Sequence, residues 1–407
     1  MSTRRNFLIC LIIFVLCVVS SALYAQGLGV SDDASNPIDN KSAINRNEVK
    51  KLLDEAQQAI LRGDDIGAEK YLGQAVDIAY KAWDLGDSAT SESIFRQILK
   101  LKSDYPKALF GLAELYRRLN PSWAIEYYTR YLRVNPGDPA AYFGRGTCYL
   151  MQQAYSLSIQ DLKYLVDRLE PNHIQGLTNL ALALRGRAVE QNYDPDLFKQ
   201  AVEYMRRAVE AAKQQANVSE EAKKLLPTLL YRFGRLQFEY QQILAKANPE
   251  QADFSGAVQT LEEAIAVAKD IFKADKNNTD AVNQIILSLD ALTEIYNALI
   301  DINPKNSQAY IELLRLTARK AYALELQMKL LGLEYIKKGI EANNQDTQLW
   351  FLLAQQYAKL NMIEQAIDAI DNALKLSPNE SVFKKYKAFL VASTQPASQP
   401  AKAKKQK

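Results

Sequence analysis

Residues 347–378 read TQLWFLLAQQYAKLNMIEQAIDAIDNALKLSP. Apolar residues recur at intervals of three and four, the mark of a helix with one buried face. The run closes at Pro378, and its spacing predicts two antiparallel helices that pack on each other. Counted from Thr347, the residues Trp350, Leu353, Ala354, Tyr357, Ala366, Ile370, Ala373 and Pro378 fall at positions 4, 7, 8, 11, 20, 24, 27 and 32 of a 34-residue unit. The small residues at 8, 20 and 27 mark where the second helix packs tightly against the first.

The same spacing recurs upstream. Leu52, Ala56, Ala59, Gly63, Asp64, Ala68, Leu72 and Ala75 fit it, and a second turn follows at Gly86-Asp87. The sharing of the helix between those turns is ambiguous. Residues 107–136 form a clear unit (Leu109, Leu112, Ala113, Tyr116, Ala124, Tyr128, Tyr131, Pro136) whose inner turn, Asn120-Pro121-Ser122, is one residue short. Further units run through Tyr142–Leu165, Leu177–Ala208 and Leu230–Ala264. Insertions stretch the last two near Gln191–Pro195 and Ala247-Asn248-Pro249. The stretch 278–330 is strongly helical but lacks the small residues, and register returns at Gly332 and Gly339. Ser381 to Val391 predicts a capping helix (380–391) with Lys384, Lys385 and Lys387 toward water, since a terminal repeat has an uncovered outer face.

This pattern resembles the tetratricopeptide-repeat (TPR) family. The resemblance implies an all-α fold, an α-solenoid in which antiparallel helix pairs build a right-handed superhelix over residues 44–391. It implies a scaffold that binds a protein or peptide partner in the concave groove lined by first helices. By the same resemblance, positions 5, 9 and 12 point into that groove. They correspond here to Phe110, Glu114 and Arg117; Phe143, Thr147 and Leu150; Thr178, Leu182 and Arg185; Tyr231, Arg235 and Phe238; and Phe351 and Gln355. The expected ligand is an extended or helical peptide with apolar anchors and acidic companions. The family's carboxylate clamp needs Lys at position 5 and Asn at position 9, and Phe110/Glu114 and Phe143/Thr147 do not match it.

The ends read differently. Arg4 and Arg5 precede a run without charge from Phe7 to Val19, followed by Ser20, Ser21 and Ala22. That order predicts an export signal over 1–25, cleaved after Ala22 or Ala25 or retained as an anchor. Thr3-Arg4-Arg5-Asn6-Phe7-Leu8 also resembles a twin-arginine motif, although the apolar core favours the general secretory route. Residues 26–43 predict a flexible linker, and 392–407, with Lys402, Lys404, Lys405 and Lys407, a disordered tail. The expected location is the periplasm or cell envelope, with membrane contact only through an uncleaved N-terminal segment or weakly through the tail. An accessory role in an envelope export or polysaccharide machinery is the alternative.

Lys and Arg total 50 against 47 Asp and Glu, which is not the basic footprint of a nucleic-acid binder. Two of the three cysteines, Cys10 and Cys17, lie in the signal segment, so Cys148 is left without an internal disulfide partner and is expected as a buried thiol. The one histidine, His173, falls in an inter-repeat loop and is expected to be solvated. No Ser/His/Asp or Cys/His set can be assembled, Glu262-Glu263 and Asp64-Asp65 are expected to face solvent, and no phosphate cradle is present. No enzyme activity, cofactor or metal is expected. Arg145 stands where a buried leucine is usual, and Asp161 faces it from the second helix of the unit, which predicts an ion pair inside the repeat.

Overall fold

The computed structural model describes residues 45–249 and 252–394; the expected signal segment, the linker and the tail beyond Thr394 lie outside the described residues. Among the described residues the chain is all-α: sixteen helices in two compact units divided after Leu101, each helix packed against the next within its unit.

The first unit holds α1 (Arg46–Leu61), α2 (Asp65–Asp84) and α3 (Ser88–Leu101). Asn45 caps α1 by accepting from the amides of Asn47 and Glu48, and Asp64 caps α2 through the amide of Gly67. The α1–α2 turn passes through Gly63 at φ +72°, a left-handed conformation that glycine adopts without a Cβ clash. Helix α2 packs against both neighbours, which resolves the ambiguity of the shared helix. Its Ala75 and Ala79 are fully buried, as are Phe95 and Ile98 of α3.

The second unit begins with three regular pairs. These are α4 (Pro106–Leu119) with α5 (Pro121–Val134), α6 (Pro139–Met151) with α7 (Tyr155–Tyr164), and α8 (Ile174–Glu190) with α9 (Pro195–Ala216). Asn120 is at once the last cap of α4 and the first cap of α5, which accounts for the short turn. Ala113, Ala124, Ala181, Ala201 and Ala208 are fully buried, so the small positions are the helix crossings. At each crossing a larger side chain would force the helices apart, at about 1–3 kcal/mol. Helix α7 continues into a π-helical turn, Leu165–Leu169, that keeps Leu165 and Val166 in the core beside Leu162.

Beyond these pairs the helices lengthen. Helix α10 (Glu220–Ala247) pairs with α11 (Ser255–Ala274), and α12 (Thr279–Ile302) with α13 (Ser307–Ala342). The irregular stretch is therefore α12 and the first part of a single 36-residue helix. No turn intervenes before Gly332, because residues 321–331 hold helix formers and no Gly, Pro or Asn. Helices α14 (Thr347–Lys359) and α15 (Ile363–Leu376) form the last regular pair, and α16 (Ser381–Thr394) covers it through Phe383 and Leu390. Lys384 and Lys385 are exposed, whereas Lys387 pairs with Asp371. The outer face of α16 also exposes Val382 and Phe389 and is less polar than expected.

Candidate functional site

Helices α4, α6, α8, α10 and α14 carry the side chains from which a groove was expected. Phe110 is half-buried and packs on Tyr128 and Tyr131 of its own pair, with ring centroids 6.1 and 5.2 Å away. Glu114 accepts the Tyr128 hydroxyl and pairs with Arg117 at 3.1 Å. Burial and then the Glu114 charge push the Tyr128 phenol far above its ordinary range. Phe143 packs against the His173 ring, tilted to it, with ring centroids 4.8 Å apart. Asn179 of α8 donates to Thr147 Oγ1 of α6 at 3.0 Å. Leu150 and Tyr231 are half-buried, and burial raises the Tyr231 phenol.

Two expected groove residues point inward instead. Thr178 is buried and donates its hydroxyl to the Ile174 carbonyl at 2.8 Å, a bond within its own helix. Phe238 is buried against Phe254, 5.5 Å between ring centroids. The lengthened α10 and its following loop supply that cover, which the regular repeat lacks.

The arginines are also differently placed. Arg185 makes a two-pronged bond to Glu239 of α10, with Nη2 at 3.0 Å from Oε1, and those bonds hold its guanidinium more firmly charged than usual. Arg235 pairs with Glu294 of α12. Burial opposes its charge, and the Glu294 bond together with the nearby Glu294, Tyr231 and Glu239 charges outweighs it, so the pKa rises. Each arginine thus ties one first helix to the next. The expected basic face, suited to acidic companions, is neutralised within the chain.

A cleft of about 920 Å³ lies where the last turns of α8, α10 and α12 meet. Its walls include Tyr155, Val189, Tyr193, Ile243, Pro249 and Ile302, with Arg185–Glu239 on one side and Glu190, Lys246 and Asp301 at its edge. Both stretched loops reach it. Asn192 and Tyr193 take φ of 55° and 64°, which turns the Tyr193 ring onto Phe198 and under the Lys246 ammonium at 5.1 Å. Gly186 makes room for Tyr155: a Cβ there would lie 2.3 Å from the ring. Glu239 and Glu190 are paired with Arg185 and Arg187, so Asp301 and the helix C-termini that meet here, each carrying about −0.5 charge, are what favour a cationic occupant.

The pair expected inside the repeat is present. Arg145 Nε and Nη2 donate to Asp161 Oδ2 and Oδ1 at 2.7 and 2.8 Å, and Nη1 to Thr129 at 3.2 Å. Cys148 is buried, and burial pushes its thiol up to about 12. His173 is not a solvated loop residue. Its Nδ1 accepts from the Gly176 amide at 2.9 Å and caps α8. Glu262 and Glu263 face solvent with 43% and 41% of their side chains exposed, while pairing with Arg319 and Lys213 at 2.7 Å each. Among the described residues no group of three His, Cys, Asp or Glu is placed to hold a metal, and no helix is long and apolar enough to cross a membrane.

Tyr155, Tyr193, Ile243 and Lys246 were missed from the sequence because none stands at a groove position of the repeat. The insertions were the available signal.

Paired helices with small residues at each crossing define a helical repeat protein. The family profile of the tetratricopeptide repeat matches residues 120–173, and the described residues are all-α. No curated protein matches it. Among solved structures it is similar to a tetratricopeptide repeat protein from Parabacteroides merdae, at 12% identity over 79% of this chain and 98% of that one, TM-score 0.38. It is also similar to the C-terminal part of a TPR repeat-containing protein from Cytophaga hutchinsonii, at 15% identity over 76% and 98%, TM-score 0.37. YrrB, described as a TPR protein with an unusual peptide-binding site, is similar at 18% identity over 54% and 96%, TM-score 0.29.

Proposed function

We propose that this chain is a non-catalytic scaffold that takes a segment of a partner protein into the cleft at the ends of α8, α10 and α12. The observation that carries this reading is the convergence of both stretched loops, at Gln191–Pro195 and after Ala247, on one cleft. Insertions in helical repeats commonly collect on the binding face. The occupant is a segment with an apolar or aromatic anchor and a neighbouring positive charge. The anchor lies against Tyr155, Val189 and Ile243, and the charge sits at the helix C-termini. Export to the envelope is part of the proposal and rests on Arg4, Arg5 and the apolar run that follows them.

The test is capture from an envelope fraction by the tagged full chain, beside Val189→Glu/Tyr193→Ala and Lys246→Glu. Val189 and Tyr193 are exposed, so the first variant keeps the fold and loses the partner. Lys246→Glu, which adds negative charge at the edge, recovers as much or more. Equal recovery by the wild type and the first variant would move binding away from the cleft. Recovery lowered by Lys246→Glu would reverse the charge assignment.

A further inference from the structure

Helix α13 carries two apolar stripes. One, through Ala309, Leu316, Ala323 and Leu330 at steps of seven, is buried against the neighbouring helices. The other runs through Tyr310, Leu314, Thr317, Ala321, Leu324, Met328, Leu331 and Tyr335, at alternating steps of four and three, and every residue in it is exposed. Leu314 is 73%, Met328 64% and Tyr335 64% accessible. The cause lies in the fold: α13 continues where a turn would let a second helix fold back, so among the described residues nothing covers this side. By contrast, the free face of α9 carries the Glu203–Arg206–Glu210 ion pairs.

A stripe repeating every 3.5 residues is the seam along which one helix supercoils with another. We propose that α13 pairs antiparallel with α13 of a second copy of this chain about a two-fold axis. The stripe is symmetric about its centre, as a self-pairing surface must be. With the axis between Tyr322 and Ala323, Tyr310 meets Tyr335, Leu314 meets Leu331, Thr317 meets Met328 and Ala321 meets Leu324. The small residues of one copy thus face larger ones of the other. A parallel pair in register would set Ala321 on Ala321 and Thr317 on Thr317 and leave voids. The flanks agree: Lys320 faces Gln327, Glu334 faces Leu313 and Glu325 faces Ala318, so no like charges meet. With Ile311 and Tyr322 at its margins, the stripe exposes an apolar area on the order of the ~800 Å² per partner that a standard interface buries.

The experiment uses the full chain with Cys10→Ser and Cys17→Ser, so that the remaining thiol is the buried Cys148. Sedimentation velocity at about 10 µM gives a dimer, and Leu314→Glu/Met328→Glu weakens association at least about tenfold with unchanged circular dichroism. Oxidative cross-linking then fixes the direction. Ala321→Cys links to itself. Leu314→Cys alone does not, because its two copies stand about 25 Å apart along the seam, but it links to Leu331→Cys in a mixture. A monomeric wild type overturns the proposal, including one in which another segment of this chain shields the stripe. So does association that survives the double variant, or a self-link at Leu314→Cys, which marks a parallel pair.

Discussion

Removing the carboxylate of Asp161 is the sharpest test of the packing inside a repeat. Its side chain is 6% exposed, that of Arg145 18%, and two short charge-assisted bonds join them. Asp161→Ala leaves the guanidinium with only Thr129 at 3.2 Å and the Tyr142 ring at 5.8 Å. Breaking a fully buried pair costs about 3–5 kcal/mol. Because Arg145 retains some contact with water, the expected loss for Asp161→Ala is about 2–4 kcal/mol. Arg145→Ala strands the more deeply buried carboxylate and should cost about 3–5 kcal/mol. Burial alone would make Arg145 easier to deprotonate; its bonds to Asp161, the charge of that carboxylate and the nearby tyrosines together reverse that and raise its pKa above the ordinary value. The assay is urea unfolding of the full chain and the three variants, followed by circular dichroism, read as a double-mutant cycle. A coupling of about 2 kcal/mol or more is expected, and Arg145→Leu/Asp161→Ala, which restores the usual leucine, should lie within ~1 kcal/mol of wild type. A coupling below about 0.5 kcal/mol would refute the reasoning.

Three further outcomes follow from the same packing. Gly144→Ala places a Cβ 2.3 Å from the buried Tyr128 ring, and an overpacking cost of about 1–3 kcal/mol should outweigh the ~1 kcal/mol gained in helix propensity, measured as a lower urea midpoint. Cys148 should resist a thiol reagent in the native state. Since its folded pKa of about 12 exceeds the ordinary 9.0, the unfolded chain releases the proton first, and stability should fall as pH rises from 9 toward 12. Cys148→Ala should flatten that alkaline slope, and an unchanged slope would assign it to other groups. Arg206→Ala, which removes exposed pairs to Glu203 and Glu210, should cost less than about 1 kcal/mol and show little salt dependence above 0.15 M; a loss near that of Asp161→Ala would contradict the ranking by burial.

Much of the architecture was legible along the chain. Ala113, Ala124, Ala354, Ala366 and Ala373 marked helix crossings because only a small side chain fits where two helices touch, and that constraint is local and periodic. The Arg145–Asp161 pair could be read because a charge at a leucine position demands a partner on the facing helix. The short turn at Asn120 could be read because capping is a matter of adjacent residues.

The candidate site was less legible, since a site depends on how helices far apart in sequence approach. Arg185, Arg235, Thr178 and Phe238 stand at groove positions, yet Glu239, Glu294, the Ile174 carbonyl and Phe254 take them up. Those partners come from lengthened helices and loops whose reach no repeat position encodes.

The sequence by itself determined an all-α array of helix pairs, because the period of apolar residues, the small crossing residues and the turn breakers act within about 34 residues of one another. Only the tertiary structure decided which side chains remain available. It joined the two stretched loops into one cleft, and it ran 307–342 as one continuous helix with a bare second stripe. Pairing and exposure are set by contacts between units 50 or more residues apart, such as Arg185 with Glu239 and Arg235 with Glu294, and no local pattern carries them.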